Sequence, residues 1–348
     1  MNKTIITTAI TLALASATIT TAHASNKTLN SVKIDQEIMI DGSAEGIWDS
    51  AESLKVKLNK LPYKPENGYD GIKRTDVFVK SLYDNENVYF LYTYKDPTKS
   101  LNRFPWVKQE DGTWKQLINK DETGHENTYY EDKFAVYWDI NTEGFAKKGC
   151  NEACHRAKDG KINGIEDKNP ARKYTDAGEY IDMWHWKGVR RNEFSQLDDQ
   201  YVDSNTDPKK NKGWGRKGDD KTGGVYVNNK KDGQPAYVMS DLTDESVIID
   251  DNKKVAFTAD YDQTSRIPGV ITSAYTGSRG DVVTKGVWAE GVWTIEIKRK
   301  LITTHTNSKT QDVQFDDLTK QYPFGLAVFD NSQINHLYHR GAYNLKFK

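Results

Sequence analysis

Both cysteines of the chain fall in one short segment, Gly149-Cys150-Asn151-Glu152-Ala153-Cys154-His155. Two thiols followed directly by an imidazole can attach a porphyrin, close a disulfide, hold zinc or cycle as a redox dithiol. Cys-x-x-Cys-His is the attachment signature of c-type haem. In that chemistry the two thiolates add across the haem vinyl groups and the next imidazole swings onto the iron. Here three residues separate the cysteines instead of two, a less common variant of the site. A zinc site wants four ligands, and only His155 accompanies the pair. A redox dithiol normally spans two residues at a helix N-terminus in a thioredoxin-like βαβ setting, which this sequence lacks. A disulfide across so short a loop stays open as an alternative in an oxidising compartment.

Haem iron usually takes a second axial ligand from His, Met or, less often, Lys. His125 and His305 lie in polar loops and are expected to be solvated, and Met39 in an N-terminal strand is expected in the core. There remain Met183 and His185 in Asp182-Met183-Trp184-His185-Trp186-Lys187, Met239 in Ala236-Tyr237-Val238-Met239, and His336 and His339 in Asn335-His336-Leu337-Tyr338-His339. Composition does not rank them.

The elements that must position these groups read as strands. Aromatic residues are in excess, with Tyr 19, Trp 9 and Phe 11 among 348 residues. That favours an all-β fold. Alternating or β-branched runs such as Asp76 to Tyr83, Val88 to Tyr94, Lys133 to Asp139, Val292 to Ile297 and Phe324 to Phe329 are bounded by turn residues. Between them, about 141–236 is rich in Lys, Asp, Gly and Asn and poor in apolar residues apart from Tyr180 to Trp186. So long a polar stretch inside a domain needs a function, or something other than a hydrophobic core to order it, and a large apolar cofactor would do so. The expectation is one β-sandwich domain over 25–348 with a long, loop-rich, haem-binding insertion at about 141–236.

Lys and Arg total 49 against 50 Asp and Glu, a net charge of −1. That excludes a broadly basic nucleic-acid binder. Lys3, an apolar stretch from Thr4 to Thr21 and Ala22-His23-Ala24 form the pattern of a secretory signal peptide over 1–24. It predicts a periplasmic protein with no stable membrane insertion. No Gly-rich phosphate loop, G-x-S-x-G elbow or H-E-x-x-H helix is present, so an enzyme is not expected.

Several segments in order resemble one family. They are Ile40-Asp41-Gly42 with Trp48, the strand ending Tyr137-Trp138-Asp139, Cys150 to His155, Trp184-His185-Trp186-Lys187, Gly291 to Ile295 leading to Lys298-Arg299-Lys300-Leu301, and Ala327-Val328-Phe329-Asp330. Together they resemble the haem-binding domain of the ethylbenzene dehydrogenase and dimethylsulfide dehydrogenase γ-subunits, in the branch of periplasmic cytochromes similar to cytochrome c-552. The resemblance covers nearly the whole chain after the signal segment. It implies a β-sandwich of the kind seen in family 9 carbohydrate-binding modules, with one haem at one end. One ligand would be His155, in the region of Cys150 and Cys154. The other would follow the Ala-Val-Phe-Asp strand, which orders the candidates as His339, His336, His185, then Met183 or Met239. Trp184 would pack in the core or at the haem edge. The implied function is single-electron transfer through covalently attached haem c, with a redox partner such as a molybdenum oxidoreductase or a quinol-oxidising system. Two other functions remain: a carbohydrate-binding module using exposed Trp and Tyr, and a haem-based sensor with an open iron site.

Overall fold

The computed structural model describes residues 27–44, 46–154 and 172–348, with the backbone of two short strands, Lys161–Ile162 and Ile165–Glu166. The signal segment 1–24 and His155 lie outside the described residues. Thirteen strands share one hydrogen-bonded sheet. They are β1 (Thr28–Lys33), β2 (Leu54–Leu58), β3 (Thr75–Tyr83), β4 (Asn87–Lys95), β5 (Lys133–Asp139), β6 (Ile181–Lys187) and β7 (Asp198–Val202), continuing through β8 (Arg216–Gly218), β9 (Val283–Ala289), β10 (Val292–Lys300), β11 (Gln321–Phe329), β12 (Leu337–Tyr338) and β13 (Tyr343–Phe347). Their order is β8-β7-β6-β5-β11-β13-β1-β3-β4-β10-β9, with β2 beside β3 and β12 beside β11. β1 pairs in parallel with both β13 and β3, and every other pairing in this sheet is antiparallel.

The two halves of this path face each other. Phe90 of β4 meets Trp138 of β5 at 5.4 Å and Trp184 of β6 at 5.7 Å. Tyr92 meets Phe134 at 4.6 Å, and Trp293 of β10 meets Trp186 of β6 at 4.9 Å. Aromatic rings from both halves therefore fill one shared core, and the fold is the expected all-β sandwich. The outer strands show the alternation that sequence periodicity detects. On β2, Leu54, Val56 and Leu58 are buried while Lys55 and Lys57 are exposed.

The polar stretch does more than loop. Its strands β6, β7 and β8 extend the sheet from β5, and every residue of β6 is buried. A strand covered on both faces carries no polar face to alternate with, so β6 had to read as an isolated apolar patch. Its charged residues have partners inside the fold, Lys187 with Asp198 and Asp182 with the Val313 amide. Met39, expected in the core, is 73% exposed. No helix among the described residues is long and apolar enough to cross a membrane.

Candidate functional site

β5, β6 and β11 run side by side, and their registers place nine residues in a grid on the face turned away from the sandwich core. His185 pairs with Ala135, which pairs with Ala327. Met183 pairs with Tyr137, which pairs with Gly325, and Lys187 pairs with Lys133, which pairs with Phe329. Ala and Gly at the centre of this face leave space over it. Trp184 and Trp186, one residue out of phase, point into the sandwich core, as do Phe134, Trp138, Phe324 and Leu326.

The cysteines pack on this grid. A short helix, α1 (Phe145–Lys148), leads into a 3-10 turn, Gly149–Glu152, and the Cys154 amide donates to the Cys150 carbonyl at 2.9 Å. Both cysteines are free thiols and both are buried. The Cys154 thiol lies 3.4 Å from the Tyr137 hydroxyl. Gly325 is required where Cys150 crosses β11, because a Cβ there would come within 2.4 Å of the Cys150 sulfur. Burial, with Cys154 next to it, pushes the Cys150 thiol up. Phe145, Ala153, Ile181, Val202 and Ala342 complete this apolar patch.

Two adjoining spaces open over the grid. A small apolar one of about 30 Å³ is lined by Cys150, Cys154, Tyr137, Ala135, Gly325 and His336. A large one of about 960 Å³ is lined by His185, Tyr130, Tyr226 and eight cationic side chains, Arg103, Lys133, Arg172, Lys173, Lys187, Arg190, Lys212 and Arg216. Lys173, Met183 and Phe329 line both. No carboxylate is among the described residues lining the large cavity. Its cations are held from behind. Arg190 pairs with the buried Glu131, which also accepts the Val189 and Arg190 amides at 2.9 and 3.0 Å. Lys187 pairs with Asp198, whose second oxygen accepts Arg279 Nε at 2.7 Å. Burial lowers Lys187 to about 7 against the pull of Asp198. Burial and the neighbouring Arg190 drive Lys133 well below the usual lysine range.

His185 is the unusual group in this wall. It is 3% exposed, yet among the described residues neither ring nitrogen has a hydrogen-bond partner. Burial first, then Lys187 and Lys133, depress its proton affinity, so the ring is neutral at neutral pH. A buried imidazole with both nitrogens unpaired is costly, and a neutral one is a competent metal ligand. His336 faces the cysteine space, with Nδ1 2.7 Å from the Ile334 carbonyl. His339 is engaged elsewhere: its Nε2 accepts the Leu326 amide at 3.0 Å, and it lines neither cavity. Burial lowers it to about 4. Met239 sits in a separate cluster with Trp106 and Ile267 and accepts the Asp250 amide at 3.1 Å. His155 lies outside the described residues.

Neither His125 nor His305 is fully solvated. His125 is half-buried and lines the large cavity, while His305 Nε2 lies 2.7 Å from Asp312. The cationic lining escaped sequence reading because its members come from distant segments. Assigning Met183, His185 and Lys187 to one face of a strand was the available signal.

Among known proteins, a stretch of 100 residues is 31% identical to endo-1,4-β-xylanase A of Thermotoga neapolitana, covering 28% of this chain and only 8% of that enzyme. Two solved structures of a family 9 carbohydrate-binding module from Caldicellulosiruptor kristjanssonii, with glucose and with cellotriose, are each 10% identical. They cover 92% of this chain and 95% and 94% of theirs, with TM-scores of 0.34 and 0.33. The sandwich assignment therefore stands on the chain's own strand pairing and core contacts. The sequence profile described as ethylbenzene dehydrogenase matches residues 45–341. That match spans the sandwich, the cysteine turn and the cationic cavity, and on its extent the chain belongs to the ethylbenzene dehydrogenase family.

Proposed function

We propose that this protein is a periplasmic c-type cytochrome that binds one haem over the β5–β6–β11 grid and passes single electrons. The observation that carries this reading is His185, buried in the cavity wall with two unpartnered ring nitrogens. Cys150 and Cys154 would hold the porphyrin through thioethers, with His155 as one axial ligand by the order of the motif. His185 would be a second iron ligand, with His336 and Met183 next, since the Nε2 of His339 already accepts a backbone amide. Bound haem supplies a reversible one-electron change at its iron.

The chain's own residues do the rest. Ala135, Gly325 and Ala327 leave room against the sheet, and Tyr137, Met183 and Phe329 make the wall apolar. Lys and Arg side chains neutralise carboxylates on an anionic cofactor. The aromatic core beneath β5 and β6 keeps the wall rigid. The haem reading is favoured over the carbohydrate-binding alternative because seven of the nine tryptophans are buried, leaving Trp114 and Trp288 half-buried. A redox protein, either an oxidoreductase or a quinol-oxidising system, would be the partner.

The test is expression in a host competent for cytochrome maturation. The expected product carries a c-type pyridine haemochrome spectrum and keeps its haem in acidified acetone. Cys150→Ala with Cys154→Ala abolishes covalent haem staining. A correctly processed, colourless protein would overturn the reading.

A further inference from the structure

Three strand ends bring carboxylates together at a second buried place. Asp96 directly follows β4, Asp132 directly precedes β5, and Asp330 directly follows β11. They are 0%, 0% and 3% exposed. One oxygen from each lies within 4.8 Å of the others. None has an ion-pair partner among the described residues. Their bonds come from neutral donors. Asp132 accepts the Asn331 and Ser100 amides at 2.9 and 2.8 Å and the Trp293 indole at 3.2 Å. Asp330 accepts the Ile72 amide at 2.8 Å, and Asp96 Oδ1 accepts the Thr98 amide at 3.1 Å. Among the described residues Asp96 Oδ2 has no hydrogen-bond partner, and neither does the buried Tyr94 hydroxyl.

Three buried carboxylates cannot all stay ionised without a counter-charge. Either protons or a cation must occupy the cluster. The donors are all hard, anionic oxygens. Calcium takes carboxylate oxygens in flexible geometry, whereas magnesium demands near-ideal octahedral geometry and gives up its waters reluctantly, so three buried carboxylates suit calcium better.

We propose that Asp96, Asp132 and Asp330 form a calcium site, with Asp96 Oδ2 as the open ligand, that clamps the ends of β4, β5 and β11. The clamp is independent of any cofactor. Lys133 and Phe329, next in chain to Asp132 and Asp330, line the large cavity.

The experiment uses the full chain after dialysis against EDTA. Calcium chloride is titrated by calorimetry and by thermal denaturation. The expected result is one calcium per chain and a Tm several degrees higher at saturation. Asp96→Asn and Asp330→Asn should each abolish both responses, and Asp219→Asn, in a separate group with His305 and Asp312, should keep them. Absence of heat and of any Tm change overturns the site. So does a response that survives in both variants or disappears in Asp219→Asn, and a response to magnesium alone overturns the choice of metal. Should Asp96→Asn fail to fold, Asp330→Asn and Asp219→Asn still decide the location.

Discussion

An imidazole buried in a cavity wall with eight cationic side chains is held neutral, and among the described residues it has no hydrogen bond either. That combination makes His185 the residue on which the redox reading turns. His185→Ala should retain covalent haem while shifting the reduced Soret and α bands and opening the iron to carbon monoxide. His339→Ala should leave the spectrum unchanged and cost stability through the lost Leu326 bond, about 1–2 kcal/mol. A spectrum altered by the second and not the first would move the ligand to His339. Gly325 gives a steric test of the same site. Gly325→Ala would press a methyl into the Cys150 sulfur, 2.4 Å away. Haem incorporation should fall, and chemical denaturation should show a loss of about 1–3 kcal/mol.

At the scale of elements, the sandwich is held by aromatic contacts between its halves. Trp138 of β5 meets Phe90, Trp184, Phe315 and Phe324 at 5.1–5.4 Å. Trp138→Ala should cost about 3–5 kcal/mol in urea unfolding, since the cavity it leaves is walled by rings from both halves. A polar tie does similar work at the N-terminal edge. Glu296 of β10 accepts the Asp41 and Gly42 amides at 3.0 and 2.8 Å and the Trp48 indole at 2.9 Å. This gives the Ile40-Asp41-Gly42 and Trp48 segments a physical reason: they satisfy one buried carboxylate. Gly42 has φ 85°, and a Cβ there would sit 2.5 Å from Val287. Trp48→Phe leaves one Glu296 oxygen without its donor and should lower stability by about 1–3 kcal/mol, measured by the denaturation midpoint at constant slope.

For the whole molecule, buried carboxylates set the pH response. Asp219 is 3% exposed, and burial, then Asp312 and Asp182, raise it to about 10. A folded-state value above the unfolded one means the folded protein binds the extra proton between about pH 4 and pH 10. Stability from this group is therefore full at low pH and is lost as pH rises through that window. Unfolding free energy should fall between pH 5 and pH 8 by an amount on the order of a few kcal/mol. Asp219→Asn should flatten the slope. A stability that instead rises across this range would show Asp219 ionised and paired.

Much of this was legible from residue order alone. Strand periodicity, turn residues and the aromatic excess determined the all-β class, and the spacing of Cys150, Cys154 and His155 put haem attachment first with a disulfide left open. Covalent spacing is local, so it survives in one dimension. What tertiary structure alone decided is which distant groups face each other. Trp184 was expected at a cofactor or in the core, and the pleat of β6 sends it to the core while turning His185 to the cavity. His339 and His336 stand three residues apart, yet one is bonded to a strand amide and the other faces the cysteines. The cationic wall and the Asp96–Asp132–Asp330 cluster arise where strand ends separated by up to 234 residues converge. Burial and convergence are properties of packing in three dimensions, and no local pattern encodes them.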